Sequence, residues 1–154
     1  MFSQLFSVGG RLVFIIDGQA CVSLHPLRLC ARILAVAAVD EKGAMVADIG
    51  SDHAYSPLYV IKEGIVQKAV AGEVAIGPFE SAMNNVVRQG IMDQVTVRLA
   101  NGLAAVDEND GVDTVTIAGM GGSLIATILM DGIEKLLCVK RIYLQPNIVA
   151  KGLR

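Results

Sequence analysis

The stretch GAMVADIGSDHAYSP, residues 43–57, decides how the whole chain is read. Ala44 to Ile49 is apolar without alternation, the pattern of a short parallel strand covered on both faces. Asp48 lies near its end, Gly50 follows, and Asp52 and His53 come before Ser56-Pro57, which opens a helix. Ser56 suits the cap, where its oxygen accepts from free backbone N–H groups, and Pro57 suits the first helical position. A buried strand, a glycine turn bearing carboxylates and a helix start form the place where an open α/β sheet holds a nucleotide-like ligand. A plain strand-to-helix turn with two solvated aspartates fits this stretch equally well, so the neighbouring segments have to decide.

Outward from this unit, strands and helices alternate. Upstream, Leu29, Ile33, Leu34 and Ala37 fall at helical spacing, and Asp40-Glu41-Lys42-Gly43 ends that helix. Further upstream, Leu12 to Ile16 reads as a strand ended by Asp17-Gly18, and His25 before Pro26 reads as a loop histidine. Downstream, the helix from Pro57 stops at Gly64, and Lys68 to Glu73 is the second strand of the series. Gly77-Pro78 starts a helix whose apolar face is Phe79, Ala82, Met83, Val86 and Val87, ended by Gly90. Val95 to Leu99 and Asp113 to Ala118 are the third and fourth strands, followed by Ala100-Asn101-Gly102 and Gly119-Met120-Gly121-Gly122. Ser123 to Leu137 is helical with Leu124, Ile125, Ile128 and Leu129 inward, and Arg141 to Leu144 is the fifth strand, ending at Gln145-Pro146-Asn147. Residues 148–154 begin another helix. This alternation predicts an α/β fold with right-handed crossovers and a parallel sheet covered by helices on both faces.

Composition narrows the class. The 154 residues make one domain's worth of chain, long enough for a real core. At 53% hydrophobic and 18% charged the chain is apolar, yet no run approaches the roughly 20 residues of a membrane span. The first stretch lacks a basic n-region and a cleavage site, so it is not read as a signal peptide. Cys21, Cys30 and Cys138 form no CxxC pair and read as reduced core residues of a cytoplasmic protein. No His/Cys cluster at ligand spacing exists, which predicts no metal. A net charge of −2 neither demands nor excludes a polyanionic partner.

The chemistry concentrates after the strands: Asp48 and Asp52, Glu73, Asn101, Gly119 to Gly122, and Gln145 to Asn147. In a parallel sheet these loops share one edge, the edge where such folds bind ligands. Glu73, at the end of the second strand, is placed to accept both ribose hydroxyls of an adenosine, although a surface glutamate is the commoner outcome for such a residue. Asn101-Gly102 has the composition of a type I′ hairpin turn, but no paired strand follows, which leaves a place near an adenine ring. A dinucleotide fingerprint is missing: the first turn has only Gly50, and Leu124 stands where the third glycine after Gly119-Met120-Gly121 would be. The missing glycine fingerprint disfavours a nicotinamide oxidoreductase, and no P-loop is present either. Asp48 and Asp52 would repel a pyrophosphate and attract a cation, so a phosphate-free adenosine cofactor fits better, S-adenosylmethionine first among them.

The segments ADIGSDHAY (47–55), AGEVAIGPF (71–79), RLANGL (98–103), TIAGMGG (116–122) and LQPN (144–147) together resemble the motif series of the bacterial tRNA (adenine-N1)-methyltransferases that act on adenine 22, the TrmK family. The resemblance spans roughly Leu29 to Arg154 and implies a Rossmann-like class I fold, S-adenosylmethionine as cofactor and tRNA as substrate. Carried over by position, Asp48, Gly50 and Ser51 would lie under the methionine part of the cofactor, Glu73 would hold the ribose, and Asn101 and Gly102 would border the adenine. Met120 and Gly121 would line the floor between cofactor and target base. Asp52, His53 and Tyr55 would face the reaction, with Gln145 and Asn147 at its rim. Methylation of a ring nitrogen creates positive charge, which a carboxylate stabilises, the role expected of Asp52. Proton acceptance by Asp52 or His53 is compatible but not required. His53 as a structural histidine and Tyr55 as a core aromatic stand beside their functional readings. The target atom is on the Watson–Crick edge, so the adenine has to be unpaired or extruded. No Asn/Asp-Pro-Pro-aromatic run follows the fourth strand, which argues against an exocyclic amine as target.

The chain departs from the family pattern at both ends. Residues 1–28 have no counterpart and are set apart as an N-terminal extension from a core over 29–154. Cys30-Ala31-Arg32-Ile33 stands where the family has a basic Ser-Lys-Arg-Leu, so Arg32 alone keeps its charge, and Ser56 replaces the usual leucine. A class I sheet has seven strands; five are counted here, with the last two and a C-terminal helical extension absent. An open sheet edge after the fifth strand would favour self-association. The alternative to a methyltransferase is a degenerate S-adenosylmethionine- or nucleoside-binding module without catalysis.

Overall fold

In the computed structural model, which describes residues 2–8, 11–16, 44–50, 54–64 and 66–146, the apolar runs become strands of one sheet. The strands are β1 (Phe2–Val8), β2 (Arg11–Ile16), β3 (Ala44–Ile49), β4 (Val66–Glu73), β5 (Val95–Leu99), β6 (Thr114–Met120) and β7 (Arg141–Pro146). Their spatial order is β1-β2-β7-β6-β3-β4-β5. The five strands expected from the sequence, β3 to β7, all pair in parallel. The chain winds outward from β3 to β5, then returns to lay β6 on the other side of β3. That reversal makes the β3–β6 boundary the switch point, where the loops diverge and leave a crevice.

Helices α1 (Tyr55–Lys62), α2 (Ile76–Gln89) and α3 (Gly122–Asp131) cover the two faces. Strand alternation sorts the core into two layers. Val46, Ala69, Ala71, Val97 and Tyr143 pack with Leu58 and Ile61 of α1 and Ala82 and Val86 of α2. Ala47, Ile49, Val70, Val115, Ile117, Ile142 and Leu144 pack with Ile125 and Ile128 of α3 and with Leu103. At the end of the sheet where the strands begin, Asp113 is the tie: its carboxylate accepts from the Met45 N–H at 3.2 Å and the Thr114 hydroxyl at 2.9 Å. Its carbonyl accepts from the N–H groups of Lys140 and Arg141. Three central strands are thus pinned at one point, far from the loops that carry the chemistry.

Several local expectations are corrected. α1 begins at Tyr55 behind Ala54, with no side-chain cap, so Ser56 is not the cap and Pro57 falls inside the first turn, where its missing N–H is still harmless. Ala54 takes a left-handed conformation, φ 61°, and is buried. Gly132 ends α3 early and a 3-10 turn, Ile133–Leu136, replaces its last turn. Val87 and Leu124 are exposed on the helix sides turned away from the sheet rather than inward, and Cys138, in the turn after the 3-10 segment, is exposed as well. The edge of β7 is not open: β2 pairs along it in parallel, from Leu12 opposite Arg141 to Ile15 opposite Leu144, and β1 pairs antiparallel with β2. The expected strand over 12–16 is therefore present, and self-association through a bare β7 edge loses its premise. The expected helix over 27–39, His25, Cys21, Cys30 and the tail 148–154 lie outside the described residues.

Gly132 has a packing reason to be glycine. A Cβ there would stand 2.4 Å from the Leu103 Cβ, and Leu103 is fully buried with nowhere to retreat. Gly132→Ala is expected to cost about 1–3 kcal/mol through this overpacking, read as a lower denaturant midpoint; an unchanged midpoint would show that the Leu103 turn shifts freely.

Candidate functional site

The strand ends at the switch point carry an open cleft of ≈ 350 Å³, lined by Ile49, Gly50, Gly72, Val74, Ala100, Asn101, Gly102, Met120, Leu124 and Ile128. Its walls are apolar side chains and glycine backbone, with the Asn101 amide as the polar side chain among them. Such a slot suits a flat heteroaromatic ring that needs a few directed polar contacts.

Two backbone devices build it. Gly50, at φ +68°, turns the chain sharply out of β3, and its N–H bonds the Gly72 carbonyl at 2.8 Å. A Cβ on Gly50 would stand 2.2 Å from the Met120 methyl, so Met120 lies directly over the glycine turn. Met120 gets there through a bulge: the β6–β7 register slips between Ala118 and Met120, with Gly119 at φ +74°. One extra residue switches the side chain to the opposite face of the sheet. Met120 accordingly packs with the α3-side core, whereas simple alternation would send it the other way.

The second wall is a rigid loop. Residues Gly102–Ala105 form a 3-10 turn, not a hairpin, with Gly102 at φ +59° against Ile128. Leu103 inserts against Gly132, and the Ala105 methyl fits over Gly72. Arg98 then clasps the loop: it donates from Nη1 to the Asp110 carboxylate and the Ala105 carbonyl, and from Nη2 to Asp110 Oδ1 at 2.8 Å. Lys135 donates to the Val106 carbonyl at 2.8 Å. The hydrogen bonds from Arg98 hold the Asp110 carboxyl below its ordinary range, and the same contact raises the Arg98 guanidinium.

A second group of polar residues sits on the other face. Asp48, Glu73, Thr116 and Gln145 are all buried, and alternation places each on the α1/α2 side of its strand end. The Thr116 hydroxyl donates to Asp48 Oδ1 at 2.8 Å. Beside Thr116 in the ladder, Tyr143 is so desolvated that its hydroxyl is pushed up to about 12 and stays neutral. The site is therefore two-sided: an apolar slot on the α3 face, a buried polar row on the α1/α2 face, and the Gly50 turn between them.

Of the residues singled out in the sequence, Gly50, Asn101, Gly102 and Met120 line the cleft. Asp48, Glu73 and Gln145 are in the buried row, and Gly121 caps α3 just outside the lining. Ser51, Asp52, His53 and Asn147 lie outside the described residues, and of Tyr55 the structure describes only the backbone that starts α1. Sequence reasoning missed Val74, Leu124, Ile128 and Thr116. Val74 carried a signal, as an apolar residue directly after the strand-ending Glu73. Among the described residues no group of three His, Cys, Asp or Glu side chains is arranged to hold a metal, and no helix is long and apolar enough to cross a membrane.

The model of the tRNA (adenine(22)-N(1))-methyltransferase family matches residues 46–154, which include the cleft, the polar row and the loop between them. The chain belongs to that family. A tRNA (adenine(22)-N(1))-methyltransferase of Bacillus subtilis (strain 168) is 44% identical over 131 residues, covering 85% of this chain and 55% of that one. The structure of Streptococcus pneumoniae Sp1610 in complex with S-adenosyl-L-methionine is 50% identical, covers 80% of this chain and 57% of that one, and superposes with a TM-score of 0.74. The Bacillus subtilis m1A22 tRNA methyltransferase TrmK gives 45%, 77%, 50% and 0.72 for the same quantities. The chain thus spans about half the length of these family members.

The Arg98–Asp110 clasp yields a test with a defined pH sign. A carboxyl held below its unfolded value contributes stability above the ordinary value of 3.8 and loses it as pH falls through the lowered one. Asp110→Asn is expected to cost roughly 0.5–1 kcal/mol near neutral pH, since the pair is partly solvated. Denaturant melts at a series of pH values should show wild type and variant converging in strong acid; a gap that stays constant with pH would remove the ion pair as its source.

Proposed function

We propose that this chain is the cofactor-binding portion of an S-adenosylmethionine-dependent methyltransferase that modifies N1 of adenine 22 in tRNA. The observation that carries this reading is the apolar slot at the switch point, closed by Asn101-Gly102 and Val74, with the buried Glu73 next to Val74 in the chain at the end of β4. That arrangement fits an adenosine: a flat ring between Val74, Leu124, Ile128 and Met120, and ribose hydroxyls donating to Glu73 at the strand end. Asp48, at the base of the Gly50 turn, supplies negative charge for the amino and sulfonium groups. When bound, the cofactor supplies the methyl group.

The chain's own contribution to the reaction is charge and placement. N1 of adenine already has a lone pair, so the residues at the rim need to admit the extruded base, exclude water and stabilise the cation that forms. Asp52 is the carboxylate assigned to that stabilisation, with His53 and Tyr55 beside it and Gln145 and Asn147 at the rim. Ser51 and Gly121 are assigned to the cofactor. A tRNA substrate places the protein in the cytoplasm, and its relatives are bacterial.

Calorimetric titration of the chain with S-adenosylmethionine should give saturable one-to-one binding. Glu73→Ala should weaken it on the order of tenfold or more, the loss of a charged acceptor for two hydroxyls. An unchanged dissociation constant would take Glu73 out of the ribose site, and a wild type that binds a nicotinamide dinucleotide instead would replace the cofactor assignment. Asp52→Ala should leave this affinity within about twofold while cutting methyl transfer to unmodified tRNA by about 100-fold or more; equal loss of both would make Asp52 a binding residue.

A further inference from the structure

Asp48 and Thr116 face each other in the β3–β6 ladder at the switch point. Both side chains are sealed from solvent, at 1% and 2% exposure, in a row whose next members are Ala71 and Tyr143. A threonine hydroxyl is an expensive choice there. Valine has nearly the same shape, suits a strand as well and would leave the backbone ladder untouched. What valine cannot do is donate to the Asp48 carboxylate, as the Thr116 hydroxyl does at 2.8 Å. An ionised carboxylate in an apolar layer keeps its charge through the donors aimed at it.

We infer that Thr116 is a positioning residue for the cofactor: by fixing Oδ1 it sets the orientation and the charge of the Asp48 carboxylate under the Gly50 turn, for the cationic methionine end of S-adenosylmethionine. This deepens the proposed function and rests on it. The hydrogen bond also couples the two strands whose ends meet as Gly50 and Met120, so the hydroxyl acts on the part of the cleft that the methyl donor would occupy. Thr116 makes its contribution through Asp48 and need not touch the ligand.

The test compares calorimetric affinities for S-adenosylmethionine, with thermal melts of every variant alongside. Thr116→Val should weaken binding on the order of tenfold, Thr116→Ser should stay within about twofold of wild type, and Thr116→Val should have no further effect in an Asp48→Ala background, which removes the acceptor. Equal affinity of wild type and Thr116→Val overturns the inference. So does a Thr116→Ser chain as weak as Thr116→Val, because the effect then belongs to methyl packing. So does an undiminished effect of Thr116→Val in the Asp48→Ala background. If Thr116→Val does not fold, Thr116→Ala against Thr116→Ser carries the same contrast. A folded wild type that does not bind at all overturns the cofactor reading, and the inference with it; binding by the wild type with no dependence on the hydroxyl overturns the inference alone.

Discussion

The pairing of β3 with β6 is the constraint on which the site depends. It exists because the chain reverses direction around β3, and it brings together two strand ends that are 70 residues apart, Gly50 and Met120. Each end then needs a backbone that ordinary residues resist. Gly50 turns at positive φ, and Gly119 forms the bulge that swings Met120 over it. Below them the Asp48–Thr116 hydrogen bond ties the same two strands from the other face. Slip the β3–β6 register by one residue and the Asp48 carboxylate and the Thr116 hydroxyl fall on opposite faces of the sheet.

The opposite ends of the sheet divide the work. Where the strands begin, Asp113 ties β3, β6 and β7 through four hydrogen bonds accepted by its carboxylate and carbonyl and a fifth donated by its N–H to the Met45 carbonyl. Where they end, polar groups are buried in a row and glycines replace side chains. The wall of the cleft is stabilised from outside it: Arg98 with Asp110, Lys135 with Val106, and Leu103 wedged against Gly132. A wall held this way is formed before any ligand arrives, which keeps the ordering cost of binding small.

The central architecture was legible in the sequence because buried parallel strands write themselves as continuous apolar runs, and glycine or carboxylate residues mark their ends. β3 and β5 match their expected bounds, and the polar residues do gather at one edge. The site's two-sidedness was not legible. Strand alternation assigns Asp48 and Glu73 a common face, but which helix covers that face depends on the crossovers, not on local pattern. Leu124 read as core because its helix is apolar all round, and it lines the mouth of the cleft instead. Met120 depended on a bulge that no periodicity reveals. The β1–β2 hairpin joined the sheet through a long-range parallel pairing with β7, for which residues 2–16 carry no local signal beyond being strand-like.

The most direct measurement is the pattern of backbone amide shifts when the isotope-labelled chain is saturated with S-adenosylhomocysteine, the form the cofactor takes after giving up its methyl group. An adenosine in the apolar slot should perturb Gly50, Gly72 to Val74, Ala100 to Gly102 and Met120 to Leu124, while Asp113 and its partners at the far end stay still. Perturbations centred on any other part of the sheet, with the slot residues unmoved, would contradict the assignment of this cleft as the cofactor site.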